Sequence, residues 1–224
     1  LKTNVSRYIR QPSFFELFGD RGFFIGNDEL KEEKGLNFDG GFEINLAVSD
    51  GWLERFSCAI AYFSSDVDDL ITRSYDARGI GKSDNVSEAN IDGIEAGIKL
   101  EFLNYFRLTG NATWQDTENR SEISAFDGKQ LSGRFERSFS GRIEARYEGF
   151  KIDFEYVGER GMYYDTANLL KADDKKEINA GVSWLFRSFL CSFEAKNLKD
   201  DQYEDFNGYP LPGRSFFFTI KYSY

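Results

Sequence analysis

The feature that most constrains this chain is a two-residue alternation between very unlike side chains, repeated along most of its length. In the last segment Phe216, Phe218, Ile220, Tyr222 and Tyr224 alternate with Ser215, Thr219, Lys221 and Ser223, with Phe217 as the exception. Strand side chains point alternately to two faces, so this segment has one apolar and one polar face. Leu36, Phe38, Phe42, Ile44 and Leu46 oppose Asn37, Asp39, Glu43 and Asn45 in the same way. The pattern returns around Phe56–Tyr62, Ile94–Phe102, Phe106–Gln115, Phe139–Glu148, Ile152–Tyr156, Glu177–Phe186 and Phe189–Lys196. The polar face carries too many charges for a dry core. The apolar face is too extensive for water. A transmembrane β-barrel wall, one face in lipid and the other on a wet or filled lumen, suits both.

Composition agrees. The 224 residues include 23 Phe and 12 Tyr, yet 29% are charged and the mean hydropathy is −0.51. No run approaches the ~18 apolar residues of a membrane-spanning helix, which excludes helical spans but not β-spans. A net charge of −10 opposes nucleic acid as a partner. The absence of His removes the usual imidazole ligand and general base, and no nucleophile–base set or phosphate loop replaces it, so no enzyme is expected. Cys58 and Cys191 fall on lipid-facing positions far apart and read as unpaired small apolar residues. The start, from Leu1 to Arg7, lacks the apolar stretch and cleavage site of a signal peptide, so the chain reads as one piece of a longer precursor.

Connections alternate in length. Short ones fall at Ser49-Asp50-Gly51, Leu103-Asn104, Glu148-Gly149 and Arg187-Ser188; long polar ones fall near 76–87, 117–133, 159–175 and 204–213. Outer-membrane barrels have short periplasmic turns and longer extracellular loops, which places the C-terminus in the periplasm. Trp52, Phe102, Tyr105, Tyr147, Phe150, Phe186 and Phe189 then form a periplasmic aromatic girdle. Nine full strands, plus the tail of one at residues 1–10, are expected in a single domain over residues 1–224.

Several segments resemble the C-terminal part of TonB-dependent outer-membrane receptors. Arg7-Tyr8-Ile9-Arg10-Gln11-Pro12 followed by Glu16-Leu17-Phe18-Gly19 is similar to the family's strand end, Arg-x-Pro turn and Glu-Leu-aromatic-Gly segment. Gly26-Asn27-Asp28-Glu29-Leu30-Lys31-Glu32-Glu33 resembles its Gly-Asn-Pro-x-Leu-x-Pro-Glu box, with Asp28 and Glu32 where prolines are usual. Asp66-Val67-Asp68-Asp69-Leu70-Ile71 is taken to end an outward strand, and Ile91-Asp92-Gly93-Ile94-Glu95-Ala96 is like the family's Gly-Val/Ile-Glu strand. The last resembling segment is Lys196-Asn197-Leu198-Lys199-Asp200-Asp201-Gln202-Tyr203-Glu204, followed by Gly208-Tyr209-Pro210-Leu211-Pro212-Gly213-Arg214 and the terminal strand. The resemblance implies an all-β, antiparallel 22-stranded barrel of which this chain holds about ten C-terminal strands. The plug and its TonB-contacting box would be absent here.

What the resemblance implies is TonB-energised uptake of a ferric siderophore or a cobalamin, this chain supplying wall and loops. Partners would be outer-membrane lipid, the barrel-assembly machinery, TonB through the missing plug, and a metal-chelate ligand. Phe23, Phe24, Tyr75, Arg78, Phe126, Tyr163, Tyr164 and Tyr209 are the candidate ligand contacts, because aromatic faces give area at low entropic cost and Arg pairs with anions. Asp66, Asp68 and Asp69 are a candidate Ca²⁺ site; a solvated strand end is the other reading. Phe216, Phe218, Ile220, Tyr222 and Tyr224 resemble the C-terminal assembly signal. From other classes, a self-contained ten-stranded barrel (a passive pore or adhesin) and a soluble β-sandwich binding module stay open.

Overall fold

A computed structural model describes residues 1–20, 22–48, 51–121 and 123–223, with the side chain of Ser87 left out. The elements are β1 (Lys2–Arg10), α1 (Phe14–Phe18), β2 (Phe24–Ile25), β3 (Glu33–Ala47), β4 (Leu53–Tyr75), β5 (Gly81–Phe102), β6 (Phe106–Asn119), β7 (Arg137–Tyr147), β8 (Phe150–Arg160), β9 (Lys175–Phe186), β10 (Phe189–Lys196), β11 (Glu204–Phe206), β12 (Tyr209–Pro210) and β13 (Ser215–Tyr222). One sheet runs β1-β3-β4-β5-β6-β7-β8-β9-β10-β13, every neighbour antiparallel along this path. β2 adds parallel to the rim of β5, and β11 pairs β12 apart from the wall.

The register keeps apolar residues opposite apolar ones. Ile60 faces Phe42 and Ala96, Leu100 faces Phe56 and Leu108, and Ile143 faces Leu108 and Phe154. A slip of one residue would put the charged face into the apolar one, so the pattern itself fixes the pairing. Rings pair across strands on this outer face: Phe150 stacks on Trp184 at 5.4 Å, Phe193 on Phe216 at 5.9 Å, and Phe189 meets Tyr222 at 4.9 Å. Phe216, Phe218 and Ile220 keep 60%, 67% and 60% of their surface open, as a lipid-facing wall requires. Tyr224, the last residue of the expected assembly signal, lies outside the described residues.

Turns at one end are tight. Glu148 (φ 45°) and Gly149 (φ 83°) join β7 to β8, with both residues in the left-handed region that two-residue hairpins use. Leu103 (φ 54°) and Asn104 (φ 59°) open the three-residue connection between β5 and β6, and the Asn104 N–H donates to the Glu54 carboxylate. The other end carries the long connections, and here three expectations are corrected. The loop expected over 76–87 is confined to 76–80, because β4 and β5 stay paired up to Tyr75 and Gly81. Asp66–Ile71 therefore does not end a strand; β4 runs on past it. At ~3.3 Å per residue, residues 64–75 carry the hairpin on the order of 40 Å along the strand beyond Tyr62, the last large apolar outer residue of β4. The loop expected over 117–133 begins only after Asn119, where β6 ends.

Past Asp69 (φ 51°) the alternation shifts by one residue, so Val67 and Leu70 share one cluster with Val86, Ala89, Ile91 and Leu131. Leu131 belongs to the connection between β6 and β7, which folds back over the inner face of β4 and β5. The Leu131 N–H donates to Thr117 Oγ1 at 3.1 Å, and Ser132 Oγ to the Arg73 carbonyl at 2.7 Å, which closes that small core with satisfied polar groups.

β1 and β13 lie at opposite edges of the sheet and are not paired with each other. A closed ten-stranded barrel is thus not formed, and the single sheet also replaces the two packed layers of a β-sandwich. Cys58 on β4 and Cys191 on β10 are six strand steps apart in the sheet order, roughly 29 Å along the sheet, and both thiols are free.

Candidate functional site

The long connections interlock into a cap over one end of the wall. The Tyr75 N–H donates to the Tyr164 carbonyl at 2.9 Å, the Tyr164 hydroxyl to the Glu204 carbonyl at 3.1 Å, and Asn207 Nδ2 to the Asp76 carbonyl at 2.8 Å. These bonds tie together the β4–β5, β8–β9 and β10–β13 connections. Gln130 and Asn168 exchange a further pair, N–H to Oδ1 at 2.8 Å and Nδ2 to carbonyl at 2.9 Å, joining the β6–β7 loop to the same unit. The β1–β3 connection enters through β2, with Gly81 N–H donating to the Phe23 carbonyl at 2.7 Å.

Several expected contact residues meet in this cap. Phe23 is exposed and stands edge-on to exposed Tyr209 at 5.8 Å; Tyr209 also meets Phe206, and Tyr75 lies 5.2 Å from Phe206. Arg78 is exposed on the adjoining turn, its guanidinium doubly bonded to Asp76 at 2.7 and 2.9 Å, so its charge is already matched. Tyr163 is half-buried, bridged to Lys171, with its carbonyl accepting from Gly133 N–H. Phe126 stands apart, half-buried in the turn whose N–H bonds return to Ile123. Phe24 and Tyr164 are buried, and their expectation as accessible contacts is corrected. Phe24 stacks on Phe15 at 4.4 Å, and Tyr164 packs with Met162 and Ala172, where burial and nearby Glu204 push its phenol up to about 12. Sequence reasoning missed Arg73, which lies 5.2 Å over Phe15 and 5.6 Å over Phe24; no local pattern announces a pairing between segments so far apart in the chain.

Beneath the cap, a latch holds the β1–β3 connection. Arg10 reaches Glu16 at 3.2 Å and Glu33 at 3.0 Å, both carboxylates being buried. Glu33 also accepts from the Tyr8 hydroxyl at 2.7 Å and the Ile71 N–H at 3.1 Å. The Tyr8 ring crosses Gly35, where a Cβ would come within 2.2 Å of it. Glu16 closes a capping box with Ser13 at the start of α1.

Further down the inner face, charges alternate across five strands. Glu101 pairs with Arg55, Lys99 and Arg107; Glu144 with Arg107, Arg146 and Lys151; Asp153 with Arg142 and Lys151. The Arg107–Glu144, Arg142–Asp153 and Lys151–Glu144 pairs bridge neighbouring strands, Arg146 reaches Glu144 along its own strand, and Glu155 accepts from Asn179 Nδ2 on β9. The acidic trio behaves differently. Asp66 accepts from Asn90 Nδ2 at 2.9 Å, and Asp69 pairs with Lys31 at 3.8 Å across the shift in alternation. Among the described residues no three carboxylate, thiol or imidazole groups converge on a point that would hold a metal ion.

An alternating wall, a cap of long loops and a charged inner face together describe a receptor barrel, and residues 1–198 match the family described as TonB dependent receptor-like, beta-barrel. The chain belongs to the TonB-dependent receptor β-barrels. This TonB-dependent receptor segment is 24% identical over 223 residues to the vitamin B12 transporter BtuB of Vibrio vulnificus (strain CMCP6), covering 96% of the chain and 33% of that protein. It is 28% identical over 146 residues to the protein of the same name in Vibrio cholerae serotype O1, covering 62% of the chain and 23% of the relative. The siderophore receptor PiuA from Acinetobacter baumannii superposes with a TM-score of 0.76 at 16% identity, over 99% of this chain and 33% of that one. The copper transporter OprC superposes at 0.73 with 17% identity, over 99% and 37%. The chain therefore spans about a third of the curated relative that it matches along most of its length. Its family places this wall in the outer membrane.

Proposed function

We propose that this segment is the wall and ligand-facing rim of a receptor that takes up a metal chelate, a ferric siderophore or a cobalamin, with energy delivered by TonB through a plug. The observation that carries this reading is the preformed cap. Loops from five connections are hydrogen-bonded into one unit that presents Phe23 and Tyr209 as open aromatic surface above a polar inner face. A rim ordered before binding loses little entropy when a bulky ligand docks. The vitamin B12 transporters among its relatives, and the siderophore and copper proteins that share its fold, support a metal-containing ligand. In this reading the long-loop end lies outside the cell and Tyr222 lies at the periplasmic end.

The test is binding by the full-length receptor. Cyanocobalamin and a panel of ferric siderophores are titrated in detergent, and one should bind at micromolar Kd or tighter. Phe23→Ala with Tyr209→Ala should weaken that binding roughly tenfold, the order expected for losing two aromatic contacts. Absence of affinity for any metal chelate overturns the proposal.

A further inference from the structure

On the outer face, where β7, β8 and β9 meet the long-loop end, the wall holds a groove of about 380 Å³. Its upper row is set by the register: Trp114 faces Arg137, and Arg137 faces Arg160. In the row below, Phe139 faces Gly158 and Gly158 faces Lys176. Gly158 lets the Tyr156 side chain lie across the floor, its hydroxyl 2.8 Å and its ring 3.0 Å from where a Cβ would stand. Arg137, Arg160 and Lys176 are exposed, and among the described residues none has an ion pair or a hydrogen bond from its charged head. Of the carboxylates lining the groove, Glu159 is held by Lys175 at 3.5 Å, which leaves Asp174 against three cations.

This is an unusual concentration in a chain of net charge −10. Two arginines directly opposed across a ladder repel each other, so the pair is unfavourable until an anion lies between them. The groove also sits at the end of the apolar band, with Trp114 and Tyr156 at its boundary as interfacial aromatics commonly are. An anion that reaches three outward-facing cations from the edge of a lipid-covered wall is one already anchored in that lipid.

We propose that this groove binds a phosphate-bearing lipid headgroup of the outer leaflet. Arg137 and Arg160 present paired N–H donors to the phosphate oxygens, and Lys176 adds a point charge. The acyl chains lie along Phe139 and Phe154, which are 48% and 53% exposed on the same face. The placement rests on the long-loop end facing outward, but binding of the headgroup in detergent does not, so the two fail separately.

The experiment is native mass spectrometry of the full-length receptor in detergent, titrated with diphosphoryl lipid A, its dephosphorylated form, and inorganic phosphate. Diphosphoryl lipid A should bind, and each of R160Q and K176Q should weaken it about fivefold, with R137Q/R160Q/K176Q weakening it on the order of a hundredfold. Heat-modifiable migration on gels confirms that each variant is folded, and the single variants keep the test open should the triple variant not assemble. Retention of affinity within twofold in the folded variants overturns the proposal, as does equal binding of the dephosphorylated lipid. Displacement by inorganic phosphate at equal concentration would show a free-anion site and overturn it as well.

Discussion

Replacing Arg10 by Ala tests whether the latch between Glu16 and Glu33 orders the loop that carries α1 and β2. Removing one partner of a buried ion pair costs about 3–5 kcal/mol, because the carboxylate left behind is neither hydrated nor matched. Two features reduce that figure here. The Arg10 side chain is 39% exposed, while those of Glu16 and Glu33 are 7% and 6% exposed, so water reaches one end of the bridge. Each carboxylate also keeps other donors, Ser13 for Glu16 and Tyr8 with Ile71 for Glu33. A loss of ~2–3 kcal/mol remains, equivalent to local opening about 30- to 140-fold more often. Hydrogen exchange reads this directly at the Leu17, Gly19 and Asn27 amides, which are bonded to Ser13, Phe15 and Glu16 carbonyls. Their exchange should accelerate by that factor, with peptides from β7 to β10 unchanged. Acceleration below threefold would refute the latch. Removing the charges together, as Arg10→Met with Glu16→Gln and Glu33→Gln, should restore much of the protection, since no buried charge is then stranded.

The same loop should respond to pH. Burial pushes the Glu16 carboxyl up, but the Ser13 N–H, the Ser13 hydroxyl and Arg10 together more than cancel this and leave it below its ordinary 4.5. A carboxyl depressed in the folded state stabilises fully above its unfolded value and loses that contribution as pH falls through the folded one. Protection of residues 13–27 should therefore hold from neutrality to about pH 4.5, fall below it, and lose this dependence in Glu16→Gln. On the wall, Phe218→Lys, midway along β13, should cost about 2–4 kcal/mol and reduce the heat-modifiable, assembled fraction; Thr219→Lys, one residue along on the inner face, should not.

Much of the wall was legible in the sequence because lipid and lumen write opposite chemistry on alternate residues. Phe106 with Arg107 and Ile143 with Glu144 announce both the strand and its faces. The rim was less legible. Beyond Tyr62, β4 no longer faces lipid, so Ser64, Asp66 and Asp68 break the apolar face while the backbone ladder continues to Tyr75. Polarity thus imitated a loop where a strand stands in water. The shift at Asp69 hid the rest, since Leu70 returns to the small core out of phase with Val67. Phe24 and Tyr164 were misplaced for a related reason: an aromatic in a polar segment carries no mark of whether another loop covers it.

The segments by which the chain resembles its family prove to be fastenings at the rim. Arg10 and Glu16 join Glu33 in the latch, and Gly26 passes so close to the helix that a Cβ would lie 2.4 Å from the Leu17 carbonyl. Asn27 Nδ2 donates to the Ser83 carbonyl at 3.0 Å and pins the loop to β5. Asn197, at φ 50°, bonds with both its side-chain ends to the Asp201 backbone and takes the chain out of β10. These positions need those side chains because long connections leaving a wall must satisfy their backbone groups before they can present anything to a ligand. Of the two open aromatics of the rim, Phe23 lies outside these segments and Tyr209 lies within the last of them, between Gly208 and Arg214. Scaffold residues of this kind, tied to fixed backbone geometry, are the ones a sequence pattern can find.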